Sequence, residues 1–170
     1  KCMKRILLIF LCAIFCSCET KSQSKIGNVP EERLQEMREF LKTGNYNQDT
    51  AVFINFKTHS GKFRYFVYDL KANKILQQAT VSHGSGSVTK NSDILRFSNT
   101  ENSYQSSLGF YKISESYNGQ FGKSYRMDGL SKTNSNARAR AIVLHSYKSM
   151  NDVETAAPSA LSLGCPMLSK

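Results

Sequence analysis

A histidine and a cysteine stand near the end of the sequence at a spacing that suits thiol chemistry. Cys165 lies in Ser162-Leu163-Gly164-Cys165-Pro166, and His145 precedes it by 20 residues. A free thiol is mostly protonated at neutral pH, and only its thiolate attacks carbonyl groups, so such a reaction needs a base close by. We therefore predict that Cys165 is a nucleophile and that His145 is its base.

The residues around Cys165 favour this interpretation over simpler ones. Gly164 permits a tight bend before the nucleophile, and the amides of Gly164 and Cys165 are predicted to form an oxyanion hole. The alternatives are a cysteine that is only a small buried hydrophobe or half of an intermolecular disulfide, and a histidine that is merely hydrogen-bonded. The three histidines and Cys165 lack the spacing of zinc ligands, so no metal site is predicted.

The first residues of the sequence have the pattern of a bacterial lipoprotein signal. A basic start, Met3-Lys4-Arg5, precedes an apolar run over residues 6–15, which is shorter than the roughly 20 residues that cross a bilayer. We predict a signal peptide over 1–17, lipidation of Cys18 and a polar tether over 18–29, which places the protein in the cell envelope, anchored to a membrane and facing the periplasm. The alternative is an ordinary signal peptide without a lipid.

Length and charge limit the other classes of function. The remaining residues, 30–170, are enough for one domain with its own hydrophobic core. The net charge is +10, from 23 basic and 13 acidic residues, but the basic residues are scattered. The sequence has no basic helix or motif that indicates binding of nucleic acid. We expect the protein to be a monomer. The sequence stops five residues after Cys165, so we expect a reading frame truncated at its C-terminus.

Hydrophobic periodicity predicts one helix followed by strands. The helix begins at Pro30 and ends before Gly44, with apolar residues three to four positions apart. Aromatic and β-branched runs then predict a β-meander, a further strand and a buried strand that ends just before His145. These strands are Val52–Phe56, Phe63–Tyr68, Lys74–Val81, Gly109–Ile113 and Ala139–Leu144. Segments 82–102 and 128–136, rich in glycine, serine and asparagine, are predicted loops, and the fold class is mainly β with minor α.

The sequence resembles the murein L,D-transpeptidase catalytic domains. The order of motifs in that family is a histidine motif, a gap and a cysteine motif, and this sequence has the same order in Val143-Leu144-His145-Ser146 and Ser162-Leu163-Gly164-Cys165. Leu163 stands where most members have histidine. A divergent branch of the same superfamily, which has Gly-Cys-Pro at the nucleophile, resembles this sequence at further positions. These are Ser82-His83-Gly84, Phe97-Ser98-Asn99, Ser106-Ser107-Leu108-Gly109, Gly129-Leu130 and Asn136-Ala137-Arg138.

This resemblance implies a fold, an activity and a set of site residues. The fold is an L,D-transpeptidase-like mixed β-sandwich or barrel with an N-terminal helix packed on it. Cys165 is the nucleophile, His145 the base and the carbonyl of Ser146 the group that orients the imidazole; no cofactor is required. The predicted substrate-binding residues are His83, Gly84, Ser98, Asn99, Ser107 and Arg140, with Arg126 as an alternative to Arg140. For His83 the simpler interpretation is a solvent-facing loop histidine.

The activity implied by the resemblance is cysteine acyl transfer on peptidoglycan stem peptides. The L,D bond of a tetrapeptide stem is cleaved through a thioester, which is passed to an amine as a crosslink or to water. Sortases and papain-like peptidases fit less well, because the former need a longer gap and a downstream arginine and the latter place the cysteine first. The non-enzymatic alternative is a lipoprotein that binds murein without turnover.

Overall fold

The computed structural model describes residues 29–90 and 94–170. The described chain forms one α-helix, a single 3₁₀ turn at Ser85–Ser87 and two β-sheets, which confirms the predicted mainly β class. The elements are α1 (Glu31–Leu41), β1 (Thr50–Ile54), β2 (Tyr65–Asp69), β3 (Lys74–Ala79), β4 (Tyr111–Gly119), β5 (Gly122–Gly129), β6 (Val143–Ser146) and β7 (Met167–Leu168).

Helix α1 forms where the periodicity predicts it. Pro30 occupies the N-cap position, and Glu31 and Glu32 in the first turn suit the positive end of the helix dipole. Leu34 and Leu41, seven positions apart and therefore on one face, are buried against the first sheet. The helix thus packs on a sheet, as expected from its apolar stripe.

The first sheet is the predicted antiparallel meander, with strand order β1-β2-β3. Its central strand carries Phe66 and Tyr68, both with no exposed surface, in the core that α1 covers. Alternate residues of β2 face this core, which is the two-residue period expected of a strand that is buried on one face.

The second sheet has the order β4-β5-β6-β7 and differs from the prediction in the extent of β4, in the start of β6 and in the presence of β5 and β7. Strand β4 runs to Gly119, and the whole of β5 was missed because its polar residues carry a weak apolar alternation. The predicted strand Ala139–Leu144 is wrong at its start: residues 139–141 lie in turns, and Ala141 has a φ of 52°. Strand β6 begins at Val143 and includes His145.

Two separate apolar clusters lie on the two sheets. One joins α1 to β1 and β2, and the other gathers Met127, Ala137 and Ile142 with the partly buried Cys165. A cleft of about 560 Å³ lies between them, lined on one side by Val52 and Ile54 and on the other by residues of the second sheet. No helix within the described residues has the length and apolar character needed to span a bilayer.

Candidate active site

His145 is held in the middle of the second sheet. It pairs with Ser124 of β5 on one side and with Met167 of β7 on the other, and only 5% of its surface is exposed. Its Nδ1 lies 2.9 Å from the carbonyl oxygen of Ser146. Because a carbonyl oxygen only accepts, Nδ1 of the neutral ring carries the proton and Nε2 has the lone pair. The imidazole is therefore arranged as a proton acceptor at Nε2.

An aromatic ring covers one face of this imidazole. Phe121, in the turn between β4 and β5, stacks on His145 with ring centroids 4.3 Å apart and an interplanar angle of 19°. Tyr147 meets the same phenyl ring edge-on at 6.0 Å. Packing against Phe121 thus restricts the plane of the imidazole, in addition to the hydrogen bond that Nδ1 makes with Ser146.

The turn before Cys165 has a backbone that requires glycine. Gly164 has a φ of 120°, and a Cβ added there would lie 2.9 Å from the carbonyl oxygen of Gln105 and 3.1 Å from Cδ1 of Ile142. Ser162 Oγ accepts the Gly164 N–H at 3.1 Å and donates to the Cys165 carbonyl at 2.6 Å. Gly164 and Ser162 together fix the direction in which the cysteine leaves the turn.

The Cys165 thiol lies beside β6, at a position displaced along that strand from His145. The parallel β6–β7 register pairs His145 with Met167, so Cys165, two residues earlier, comes next to Val143. Accordingly the Val143 N–H donates to Sγ at 3.5 Å, and the thiol donates to the Ala141 carbonyl at 3.7 Å. Val143 and His145 are two residues apart on β6, which corresponds to roughly 6–7 Å along the strand. Cys165, beside Val143, is therefore displaced from His145 by about that distance.

The thiol is protonated in this arrangement. Burial raises the pKa of Cys165 above its usual range, opposed by the Val143 N–H and by the positive charge of Arg140. Within the described part of the chain, no hydrogen bond joins Sγ to His145. Transfer of the thiol proton to Nε2 therefore requires Sγ to turn away from the Ala141 carbonyl.

The two amides predicted to form an oxyanion hole differ in the structure. The Gly164 N–H is already engaged by Ser162 Oγ. The Cys165 N–H has no acceptor among residues 29–90 and 94–170, so it is free to bind a developing oxyanion.

Arg140 lies behind the nucleophile turn and binds the protein itself. Its Nη1 donates to the Ser98 carbonyl at 2.8 Å and to Ser107 Oγ at 2.6 Å, and its Nη2 donates to the Gln105 carbonyl at 2.6 Å. Both terminal nitrogens are thus engaged by loop oxygens, and the guanidinium acts on Cys165 through its charge. The alternative, Arg126, pairs with Glu115 on the surface of the second sheet.

His83 is buried, so the interpretation as a solvent-facing loop residue is wrong. Its exposed fraction is 5%, and its Nδ1 accepts a hydrogen bond of 2.9 Å from Nη2 of Arg64. The proton of the neutral ring is consequently on Nε2. Burial, then the charge of Arg64, then His59, lower the pKa of His83 to about 4. His83 is therefore neutral at physiological pH.

The remaining predicted substrate-binding residues make contacts within the protein. A Cβ on Gly84 would lie 2.1 Å from the Tyr104 carbonyl oxygen, so this glycine admits the protein's own backbone. Ser98 donates its N–H to Ser106, and Ser107 Oγ donates to the Ser98 carbonyl. Asn99 bonds to segment 132–136. These residues organise the loops beside Cys165, and their part in substrate binding stays a prediction.

Sequence reasoning missed two residues that shape the site. Phe121 has no spacing relation to His145 along the chain, and only its position between Gly119 and Gly122 gives a signal, that of a hairpin turn. Arg64 lies inside a run predicted as a strand, yet it is 1% exposed. The predicted lipidation site, Cys18, and the signal segment 1–17 lie outside the described residues. In the described part of the chain, no three potential metal ligands come together.

Comparisons with known proteins bear on this site. The crystal structure of the L,D-transpeptidase (residues 123–326) from Xylanimonas cellulosilytica is 10% identical, with a TM-score of 0.29. The match covers 77% of this chain and 57% of that one, so the chain spans little more than half of its length. No significant match was found among curated proteins. A family model described as L,D-transpeptidase catalytic domain matches residues 22–170, and the chain therefore belongs to the L,D-transpeptidase catalytic domain family.

Proposed function

We propose that this protein is a peptidoglycan-modifying cysteine acyltransferase in which Cys165 is the nucleophile and His145 the base. The observation that carries the proposal is the imidazole held with Nδ1–H on the Ser146 carbonyl, at 2.9 Å, while Nε2 has no hydrogen-bond partner among residues 29–90 and 94–170, on a strand that lies beside Cys165. This is the tautomer that a general base needs. Family membership supports peptidoglycan as the substrate.

The reaction begins when Sγ turns from the Ala141 carbonyl and passes its proton to Nε2 of His145. The thiolate attacks the carbonyl carbon of the L,D bond in a tetrapeptide stem, and the free Cys165 N–H stabilises the oxyanion. The C–N bond breaks, and the leaving amine takes the proton from His145. A thioester on Cys165 remains.

The thioester is then resolved by a second nucleophile. An amine of another stem, or water, loses a proton to His145 and attacks the thioester carbonyl, and the S–C bond breaks. The proton returns to the thiolate. The product is a crosslink in the first case and a shortened stem, by L,D-carboxypeptidase activity, in the second. The residues that act are the chain's own, and no cofactor takes part.

Mass spectrometry of the purified protein tests this function. Incubation with a carbapenem or with disaccharide tetrapeptides is expected to give an acyl adduct on Cys165 and, with the peptides, release of D-alanine. Cys165→Ala is expected to form no adduct. His145→Gln is expected to slow acylation by about 10²–10⁴-fold, the usual contribution of a general base. A folded wild-type protein that gives neither adduct nor D-alanine contradicts the proposal.

One observation favours the second candidate, a lipoprotein that binds murein without turnover. The thiol makes hydrogen bonds with the backbone of Ala141 and Val143 rather than with His145, and burial raises the pKa of the thiol. Binding of tetrapeptides without an adduct, and equal binding by Cys165→Ala, is the result expected of such a protein.

We further propose that the protein is exported and anchored through a lipid on Cys18, with 1–17 removed, 18–29 a tether and 30–170 a monomeric catalytic domain. The basic start and apolar run before Ser17-Cys18 support this. Globomycin is expected to block processing, and labelled fatty acid to enter the protein but not Cys18→Ala. Unlabelled protein in the medium contradicts lipidation.

A further inference from the structure

The turn between β4 and β5 is placed against the proposed base by the sheet itself. Strand β5 pairs with β6 so that Ser124 lies opposite His145, and the turn residue Phe121 comes three positions earlier in the chain. Ser146 Oγ reaches the Phe121 carbonyl at 3.5 Å. Phe121 as a whole residue is 37% exposed, so it lies at the surface while its ring stacks on the imidazole.

Two separate contacts are needed to fix where Nε2 points. Rotation of an imidazole by 180° about its Cβ–Cγ bond keeps the ring plane but exchanges the sides on which the nitrogens lie. The bond from Nδ1 to the Ser146 carbonyl selects one of these orientations. It leaves the tilt of the plane free, because hydrogen bonds to a carbonyl tolerate a broad range of angles. Stacking on Phe121 at 19° is the contact that restricts this tilt.

We propose that Phe121 is a positioning residue that keeps the plane of the His145 imidazole directed towards the Cys165 thiol. Without the phenyl ring, Nε2 is spread over a range of positions, and fewer encounters with Sγ allow proton transfer. The inference rests on the proposed function for its kinetic consequence and on the observed stacking for its structural one. It extends the site to the β4–β5 hairpin.

Acylation kinetics with a carbapenem provide the first test. Phe121→Leu keeps an apolar side chain but removes the planar ring, and it is expected to lower the acylation rate constant by roughly tenfold to a hundredfold, the scale of a small misplacement of a reacting group. Its half-saturation concentration is expected to stay that of the wild type. Phe121→Tyr keeps the ring and is expected to retain the rate.

Tyr117→Ala is the matched control. It removes another aromatic ring from the same hairpin, one that stacks with Arg126 at 4.8 Å and not with His145. The wild-type rate is expected for this variant. An equal loss of rate in Tyr117→Ala and Phe121→Leu assigns the effect to the hairpin as a whole and overturns the proposal, as does an unchanged rate in Phe121→Leu.

Nitrogen NMR of His145 provides a second test that needs no enzymatic turnover. In the wild type at mildly alkaline pH, the ¹⁵N shifts are expected to show one tautomer with the proton on Nδ1. In Phe121→Leu the two shifts are expected to move towards each other as the bond to Ser146 becomes intermittent. Wild-type shifts in Phe121→Leu overturn the inference even if Cys165 is acylated normally, whereas absence of an adduct with the expected shift change contradicts only the proposed function.

Discussion

At the scale of single residues, the site depends on atoms that are already engaged by the protein. Ser162 occupies the Gly164 amide, and Arg140 is bound by loop oxygens. Among the residues that the structure describes, the groups that remain free for chemistry are Nε2 of His145, the Cys165 N–H and a thiol that has to turn. The surrounding polar groups therefore position the reacting groups and leave little polar surface of their own for a ligand.

Gly164→Ala is expected to destabilise the protein by about 2–3 kcal/mol, because a residue with a φ of 120° is strained and the new Cβ meets Gln105 O at 2.9 Å. Gly122→Ala is the control, since Gly122 also has a positive φ, 79°, but nothing lies within 4 Å of its added Cβ. We expect it to cost only about 1 kcal/mol. Urea unfolding measures both, and equal losses contradict the argument from crowding.

The charge of Arg140 is expected to contribute to the reactivity of Cys165. Because this charge lowers the pKa of the thiol against the larger effect of burial, Arg140→Gln leaves less thiolate at a given pH and slows alkylation by iodoacetamide. The pH profile of alkylation moves to higher pH. Arg140→Lys keeps the charge but not the fork of hydrogen bonds, and it is expected to restore most of the rate. Equal slowing in both variants assigns the effect to loop disorder instead.

At the scale of elements, the helix and strands with strong apolar periodicity were predicted from the sequence, and those with weak periodicity were not. Helix α1 and the β1–β3 meander have strong apolar periods, and both were predicted near their true bounds. Strand β5 was missed because its residues pair through the backbone while exposing polar side chains. The order and spacing of His145 and Cys165 could be read from the sequence. The stacking of Phe121 and the role of Arg64 could not, because they depend on tertiary contacts between distant segments.

Arg64 shows how such contacts join elements. Immediately before β2, it donates to the carbonyls of Val81 and Thr58 and to Nδ1 of His83, so it links the segment after β1 to the segment after β3. Burial lowers its pKa to about 10, so it remains charged at neutral pH. A protonated His83 beside this buried cation is unfavourable, which makes this junction sensitive to acid.

Acid is therefore expected to weaken the protein through His83. Its pKa is about 4 in the folded state and 6.5 as the ordinary value, so the unfolded state binds more protons between these limits. Stability is complete above pH 6.5 and falls as the pH drops towards 4, by about 3 kcal/mol at most. His83→Gln, whose side-chain oxygen can accept from Arg64, is expected to flatten this slope in urea unfolding at several pH values. An unchanged slope contradicts this assignment.

At the scale of the whole molecule, two apolar clusters lie on either side of a cleft, and serine hydroxyl groups make hydrogen bonds between loops of the chain. Ser82 bonds to Cys165 and Met167, and Ser106 bonds to the Gly164 carbonyl, so these serines link the segment after β3 to the nucleophile turn. Protein interiors are normally packed without large voids. The cleft of about 560 Å³ is therefore a place where added apolar volume has room.

Val52→Ile is expected to stabilise the protein by about 0.8 kcal/mol, because Val52 lines this cleft and the added methyl group gains apolar contacts there. Val81→Ile makes the same change at a residue that has no exposed surface. Overpacking at that position is expected to cost about 1–3 kcal/mol. Thermal and urea unfolding compare the two variants. Destabilisation by Val52→Ile as large as that by Val81→Ile means that the cleft does not accept added volume and that the two clusters pack more closely than described.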